Sequence, residues 1–301
     1  MPLLIHPGFH KTGTTWLQQQ LFTDRRHFHM MFDHADIDRL FVSPHDLDFA
    51  SNLAKAEVDA RLSAPDSGLI DVISSETLCG QMFHGSRLSR VTAQRLADSC
   101  GPAKILFTVR GQLSATQSIY MQYLKRGGRL SIDDYLSYRP EPGYDWFNPS
   151  VVSYAKLAQC YGDLFGHENI LVLPQELLAK DRTAWLGHLF RFLHGADFTG
   201  DLSLDDRPRE GVSPPASGIP LMRAANIFRV GTMNPNAIRC LGWLGTALNS
   251  AAYRWKLGDA GARKRMRATI ARHFSGKFGA SNRALQPYCP VDLAQLGYEM
   301  D

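Results

Sequence analysis

The sequence predicts an α/β fold: a parallel sheet with helices on both faces, which makes a three-layer α/β/α sandwich. Two observations predict it. Short apolar runs of strand type alternate with segments of helical spacing through the first two thirds of the chain, and polar residues appear where the apolar runs end. Because parallel neighbours need a crossover segment of helix length, this alternation indicates β-α-β units.

Strands and helices alternate up to residue 215, and helical spacing continues from Ile219 onward. We therefore expect a single domain over residues 1–301, with an α/β core over 1–215 and a helical C-terminal extension over 216–301 packed on it. The predicted strands are 2–6, 69–76, 104–110 and 170–176, and the predicted helices before residue 215 are 16–21, 49–62, 111–123, 154–165 and 184–193.

Length and charge limit the class of protein. With 44% hydrophobic residues among 301, the chain can bury a full core. Its 33 Lys and Arg stand against 29 Asp and Glu, a formal net charge of +4, which is too even a balance for a protein that coats nucleic acid. We expect no nucleic-acid partner, whereas a small anionic ligand is compatible with this charge.

Cysteine usage and the N-terminus predict a cytoplasmic protein. The five cysteines are scattered and include no Cys-x-x-Cys pair, which argues against a disulfide framework and against a zinc site. His27, His29, His34 and His45 have spacings that fit no metal ligand set, so they are interpreted as surface residues. Neither a cleavable signal nor an apolar stretch long enough to span a bilayer is seen.

The first apolar run leads into a turn, Pro7 to Thr15, that predicts an anion site. Backbone N–H groups at a helix N-terminus lack intrahelical partners, and the helix dipole adds positive potential there, so a phosphate binds readily. The separation of Gly8 and Gly13 is that of a nucleotide-binding P-loop. The turn departs from the Walker pattern, in which Lys follows the second glycine: here Thr14 takes that place and Lys11 lies two residues before Gly13.

The segment Lys-Thr-Gly-Thr-Thr-Trp-Leu-Gln, which begins at Lys11, resembles the 5′-phosphosulfate loop of the sulfotransferases that use 3′-phosphoadenosine-5′-phosphosulfate (PAPS). The resemblance implies that backbone N–H groups from Gly13 to Thr15 cradle the 5′-phosphate and that Lys11 neutralises the leaving bridging oxygen. It also implies that Trp16 packs against adenine. The donor-binding residues expected in this segment are Lys11, Thr12, Gly13, Thr14, Thr15 and Trp16.

A second match follows the third predicted strand. This strand ends in Arg110, where a magnesium-dependent kinase commonly carries a metal-holding Asp. Arg110 and Ser118 are eight positions apart, which is similar to the 3′-phosphate motif of the sulfotransferases. The resemblance implies that both residues hold the 3′-phosphate, which a guanidinium binds bidentately. We expect no metal.

The end of the second predicted strand supplies a candidate base. Ser-Ser-Glu, at 74–76, resembles the corresponding segment of bacterial and carbohydrate sulfotransferases, in which Glu76 would take the proton of the acceptor hydroxyl. A helix N-cap, with Ser75 capping and Glu76 in the first turn, is an equally supported interpretation. The Lys-Thr-His segment that holds the base of phenol and steroid sulfotransferases is absent here, so His10 and His84 stay as alternative bases.

Two later segments have weaker patterns. Arg209, Gly211 and Ser213 lie in a turn-rich loop at the point in chain order where the family closes over the product nucleotide, so they are further donor-site candidates. Residues 237–255 are apolar with basic ends, which fits a helix on a membrane surface or on the acceptor, although ordinary packing is the favoured interpretation.

The two specific matches together predict a PAPS-dependent sulfotransferase of bacterial type. It would move a sulfuryl group to a hydroxyl, or less readily an amine, of a carbohydrate or small-molecule acceptor, and release 3′-phosphoadenosine-5′-phosphate (PAP). Two alternatives stay open: a P-loop kinase-like phosphotransferase that uses ATP, and a non-catalytic nucleotide-binding relative. The sequence leaves the acceptor and the oligomeric state open.

Overall fold

A computed structural model describes residues 3–137, 139, 141, 145–196, 202 and 214–301, without the side chain of His84. The chain divides into two compact units. The first comprises Met1–Gly111, Pro149–Arg207 and Phe278–Asp301, and the second comprises Gln112–Asn148 and Pro208–Lys277. The single domain expected over 1–301, with a boundary at residue 215, stays a prediction.

The first unit is built on a five-stranded parallel sheet of order β2-β3-β1-β4-β5, which confirms the predicted α/β class. The strands are β1 (Leu3–His6), β2 (Phe28–Met30), β3 (Ile70–Ser74), β4 (Ala103–Val109) and β5 (Ile170–Pro174). The four predicted strands are present. β2 is an additional edge strand, and its three residues are too few to show a strand period in the sequence.

Helices cover both faces of this sheet. Leu4 of β1 and Leu106 of β4 belong to a buried cluster with Leu17, Trp185 and Phe190 on one face. On the other face, the rings of Phe107 and Tyr161 meet edge to face with centroids 5.2 Å apart. The helices of this unit are α1 (Thr14–Trp16), which continues as a π-helical turn over Leu17–Leu21, α2 (His34–Ile37), α3 (Ser51–Arg61), α4 (Ser89–Cys100), α7 (Tyr154–Phe165), α8 (Gln175–Lys180), α9 (Arg182–His194) and α13 (Gly279–Leu285).

The second unit is helical in its described part. Asn226 ties two of its segments together, because its side-chain amide donates hydrogen bonds to the carbonyls of Leu124 at 2.8 Å and Gly128 at 2.7 Å. Its helices are α5 (Gln112–Lys125), α6 (Ile132–Ser137), α10 (Ile219–Ala225), α11 (Gly242–Arg254) and α12 (Asp259–Phe274). Among the described residues of the whole chain, no helix combines the length and the apolar character that crossing a bilayer requires.

Candidate functional site

The glycine turn lies at the carboxyl edge of the sheet, between β1 and α1. β1 is paired with β3 on one side and β4 on the other, so the ends of these three strands meet at one edge. Lys11 has φ 67° and Gly13 has φ 96°, both in the left-handed region. Such a conformation strains a residue with a Cβ, and strain of this kind concentrates at ligand-binding loops. The turn thus joins β1 to α1 at this edge of the sheet.

Gly8 permits the chain to fold back closely over the end of β1. A Cβ built on Gly8 would collide with the methyl group of Thr14 and would lie 2.8 Å from the ring of His6. Thr14 itself is buried. No larger residue fits at position 8 unless the turn moves.

A buried chain of hydrogen bonds fastens the turn to three adjacent strands. Thr12 Oγ1 donates to the carbonyl of Phe9 at 2.5 Å and lies 2.8 Å from Thr108 Oγ1 of β4. Thr108 Oγ1 is 3.3 Å from Nε2 of His6, whose Nδ1 is 2.8 Å from Ser74 Oγ of β3. The hydroxyl of Thr12 is therefore engaged inside the protein and holds the turn against β4.

His6 is neutral in this network. Complete burial lowers the pKa of its imidazole to about 3, since desolvation disfavours the charged ring. The proton of the Thr12 hydroxyl goes to Phe9, so Thr108 Oγ1 donates to Thr12 and accepts from Nε2 of His6. Nδ1 of His6 is then the ring nitrogen that accepts, from Ser74 Oγ. The sequence alone placed His6 in a strand and gave it no further role. Its position, a polar residue at the end of an otherwise apolar run, was the feature that could have indicated its part in this network.

Arg110 and Lys11 come together at adjacent strand ends. Nη1 of Arg110, the residue after β4, donates a hydrogen bond to the backbone carbonyl of Lys11 at 3.3 Å. The carbonyl of Arg110 in turn accepts a hydrogen bond from the hydroxyl of Tyr154 at 2.7 Å. Both cationic residues are half-buried. The edge therefore carries an ammonium-bearing and a guanidinium-bearing residue in one small region.

Glu176 fixes the chain immediately after Arg110. Its Oε1 accepts a hydrogen bond from the backbone N–H of Gly111 at 2.9 Å, and its Oε2 accepts one from the hydroxyl of Tyr298 at 3.0 Å. Burial raises the pKa of Tyr298, so the phenol keeps its proton and donates. Sequence reasoning gave Glu176 no role, because its two partners are 65 and 122 positions away.

The remaining residues of the expected 5′-phosphosulfate loop differ in exposure. Thr15 is exposed at the start of α1, whereas Trp16 is half-buried and packs against the cluster on the sheet face. The guanidinium of Arg182 lies over the indole of Trp16, 5.6 Å from the ring centroid. The expected contact between Trp16 and adenine stays a prediction.

Glu76 begins the 3-10 turn Glu76–Cys79 and shows the capping geometry. Ser75 Oγ accepts a hydrogen bond from the backbone N–H of Thr77 at 3.2 Å. The carboxylate of Glu76 is a third exposed, and its Oε2 lies 4.0 Å from Nε2 of His34. Nδ1 of His34 is 3.1 Å from Ser75 Oγ. The base role of Glu76 stays a prediction, and His34 is a neighbour that sequence reasoning left aside as a surface histidine.

The two alternative bases are His10 and His84, and the structure describes the side chain of His10 only. His10 is buried, and its Nε2 donates to the carbonyl of Gly80 at 2.6 Å. The side chain of His84 lies outside the described part of the structure. Cys79, the residue before Gly80, is no nucleophile at neutral pH, because burial raises the pKa of its thiol to about 12.

The expected 3′-phosphate and product-loop residues are described only in part. Ser118 is half-buried on α5 in the second unit. Arg209, Gly211 and Ser213 lie outside the described residues. Within the described residues, no three His, Cys, Asp or Glu side chains come close enough to hold a metal ion.

Comparison with known proteins gives a similar solved structure. No family model matches the chain, and no curated protein matches it. A solved structure of a sulfotransferase from Alicyclobacillus acidocaldarius is 23% identical, covering 69% of this chain and 87% of its own, with a TM-score of 0.46. A likeness at this level assigns no function to the chain.

Proposed function

We propose that the chain is a PAPS-dependent sulfotransferase that transfers a sulfuryl group to a hydroxyl of a carbohydrate or small-molecule acceptor. The observation that supports this most is the proximity of Lys11 and Arg110. These two residues follow two neighbouring central strands, β1 and β4, and a hydrogen bond of 3.3 Å joins the guanidinium of one to the carbonyl of the other. A ligand with two anionic groups matches two cationic residues in one region better than a neutral ligand does.

The residues present fit the donor by their chemistry. In this proposal the N-terminus of α1 supplies backbone N–H groups for the 5′-phosphate. The turn before it is so close to β1 that only glycine fits at position 8. Arg110 would hold the 3′-phosphate. PAPS supplies the sulfuryl group and, after transfer, leaves as PAP. Ser118, Arg209, Gly211 and Ser213 keep their expected roles at the nucleotide as predictions.

The roles of the residues in the transfer follow from charge. Sulfuryl transfer needs charge stabilised on the leaving oxygen and an acceptor held in line, so positioned donors supply most of the rate increase. The ammonium of Lys11 would neutralise the leaving oxygen, and the hydroxyls of Thr14 and Thr15 would add hydrogen bonds. Glu76 would accept the proton of the acceptor hydroxyl, with His34 adjacent to its carboxylate.

The two alternative functions, kinase and non-catalytic nucleotide binding, require different residues at this edge of the sheet. An ATP-dependent kinase of the P-loop type places a lysine where this chain has Thr14, and commonly an Asp where it has Arg110. A non-catalytic relative would bind nucleotide and lack a working base. The choice of residues at these two positions favours a ligand with a 3′-phosphate.

Calorimetric titration of the full chain with PAP, AMP and ATP tests the donor. We expect PAP to bind at least tenfold more tightly than AMP, because only PAP carries the 3′-phosphate for which Arg110 is proposed. Equal affinity for PAP and AMP, or tighter binding of ATP, would contradict the proposal.

Transfer is tested separately with PAPS labelled in its sulfuryl group and a panel of sugars, phenols and alcohols. Labelled product from any hydroxyl acceptor supports the sulfotransferase. Tight PAP binding together with phosphate transfer from labelled ATP, and no sulfuryl transfer, would favour the kinase.

A further inference from the structure

The C-terminal part of the second unit has a strong excess of positive charge. Between residues 219 and 277 the sequence contains eleven Lys or Arg and one acidic residue, Asp259. The rest of the chain contains 22 Lys or Arg and 28 Asp or Glu. Asp259 is itself paired with Arg263 at 2.7 Å. This segment is therefore cationic, whereas the rest of the chain has a negative formal charge.

Helix α11 packs through one side only. On that side a Cβ built on Gly245 would lie 2.7 Å from the side chain of Arg229 and 3.0 Å from the carbonyl of Ala225, the last residue of α10. Ala252, two turns later, is fully buried. On the opposite side, Trp243 is 69% exposed. A large aromatic side chain in water is costly unless it meets a partner.

The chain on both sides of α11 exposes further apolar side chains. Ile238 is 49% exposed before the helix, and Trp255 and Leu257 are 51% and 81% exposed after it. Exposed basic residues alternate with them along the sequence. We define the basic-apolar surface by the exposed residues Ile238, Arg239, Leu241, Trp243, Arg254, Trp255, Lys256 and Leu257.

A cavity of about 440 Å³ adjoins this surface within the second unit. Trp255 and Leu257 line it, and so do the basic residues Arg223 and Arg265. The cavity thus combines apolar walls with two guanidiniums, which suits a phosphate headgroup next to a hydrocarbon chain.

We propose that the basic-apolar surface binds an anionic phospholipid bilayer and holds the chain at the membrane interface. Trp and Leu side chains enter the headgroup region, where an indole is favoured, while Arg and Lys contact lipid phosphates. The helices lie along the membrane rather than across it, in agreement with the absence of a spanning helix among the described residues.

The exposed aliphatic side chains of this surface favour a bilayer over a nucleic acid as the anionic partner. Single strands stack on aromatic rings and contact Arg and Lys, but they offer no apolar phase for Leu257 or Ile238. A bilayer accepts the aliphatic side chains, the indoles and the cations together.

Vesicle flotation with the full chain tests this surface. Vesicles of phosphatidylcholine with phosphatidylglycerol should carry the protein, pure phosphatidylcholine vesicles should carry much less, and raised salt should release it.

Leu257→Ser should weaken binding about threefold, whereas Leu47→Ser, which alters a leucine 88% exposed in the first unit, should leave it unchanged. Arg254→Glu should weaken binding roughly 25-fold, since each unit charge near the bilayer contributes about fivefold and the substitution changes two. Arg25→Glu, at an exposed arginine of the first unit, should leave binding unchanged.

Three outcomes of the flotation experiment would contradict the proposal. Equal flotation with anionic and neutral vesicles, no flotation with either, or equal losses in the two leucine variants would each contradict the binding of this surface to an anionic bilayer. Binding of a single-stranded oligonucleotide in place of anionic vesicles would assign the surface to nucleic acid instead. The test does not depend on PAPS, so it stands whatever the transfer assay gives.

Discussion

The guanidinium of Arg110 donates a hydrogen bond to the backbone carbonyl of Lys11 at 3.3 Å. The residues are 99 positions apart in the sequence, and they meet because β1 and β4 are parallel neighbours whose ends lie at the same edge. Arg110 therefore has two separable functions to test: it fastens the loop, and in the proposed enzyme it binds the 3′-phosphate.

Arg110→Ala should weaken PAP binding by about 1.5–3 kcal/mol, the value of a charge-assisted hydrogen bond. Calorimetry with AMP is the control, because AMP lacks the 3′-phosphate and should lose little affinity. If AMP binding falls as far as PAP binding, Arg110 acts only by holding the carbonyl of Lys11.

Lys11→Ala and Lys11→Gly should both abolish sulfuryl transfer, because each removes the ammonium proposed to neutralise the leaving oxygen. The two variants should differ in stability. Lys11 has φ 67°, which glycine adopts freely, so the alanine variant should be less stable than the glycine variant by roughly 1 kcal/mol in the free energy of unfolding. Retained transfer in a folded Lys11→Gly protein would remove Lys11 from catalysis.

Glu76→Gln should lower turnover by about 100-fold or more while changing PAP affinity less than twofold, since a general base acts on the acceptor and not on the nucleotide. Glu168→Gln, at an exposed carboxylate of the same unit, should leave turnover unchanged. Wild-type turnover in the Glu76 variant would direct the search for the base to His10 and His84.

Gly8→Ala should destabilise the protein by roughly 1–3 kcal/mol, because the added Cβ collides with Thr14 and crowds the ring of His6. Gly187→Ala is a matched control inside α9, where an added Cβ meets no atom within 4 Å. It should stabilise the helix by roughly 0.5–1 kcal/mol. Chemical denaturation of both variants measures the difference, and equal stabilities would show that the turn adapts at Gly8.

His6 should make stability depend on pH below neutrality. Its folded pKa of about 3 lies below the ordinary value, so the unfolded chain binds the proton more readily. The contribution of neutral His6 is complete above pH 6.5 and is lost as the pH falls from there toward 3. Between pH 7 and pH 5 the loss should be about 2 kcal/mol in the free energy of unfolding. His6→Gln should remove this part of the slope; unfolding curves with the same pH dependence in both proteins would contradict the assignment.

Local patterns in the sequence were sufficient for the class of fold and for the strand-turn-helix order around Lys11. The alternation of short apolar runs with helical spacing predicted four of the five strands, and Ile170–Pro174 and Tyr154–Phe165 form the elements predicted over nearly those residues. Glycine spacing and the strand-turn-helix order identified the loop because turn conformation depends on residues next to each other in the chain. β2 has only three residues, so no period marked it.

What the sequence by itself determined is thus the parallel α/β class, the loop around Lys11 and the arginine at a strand end. Only the tertiary structure decided which distant groups meet: Thr12 with Thr108, His34 with Glu76, and Glu176 with Tyr298. The physical reason is that hydrophobic period specifies which face of a strand or helix is buried, but not the order in which the strands pair. That order is set by how the buried faces pack together, and it determines which polar ends share one edge of the sheet.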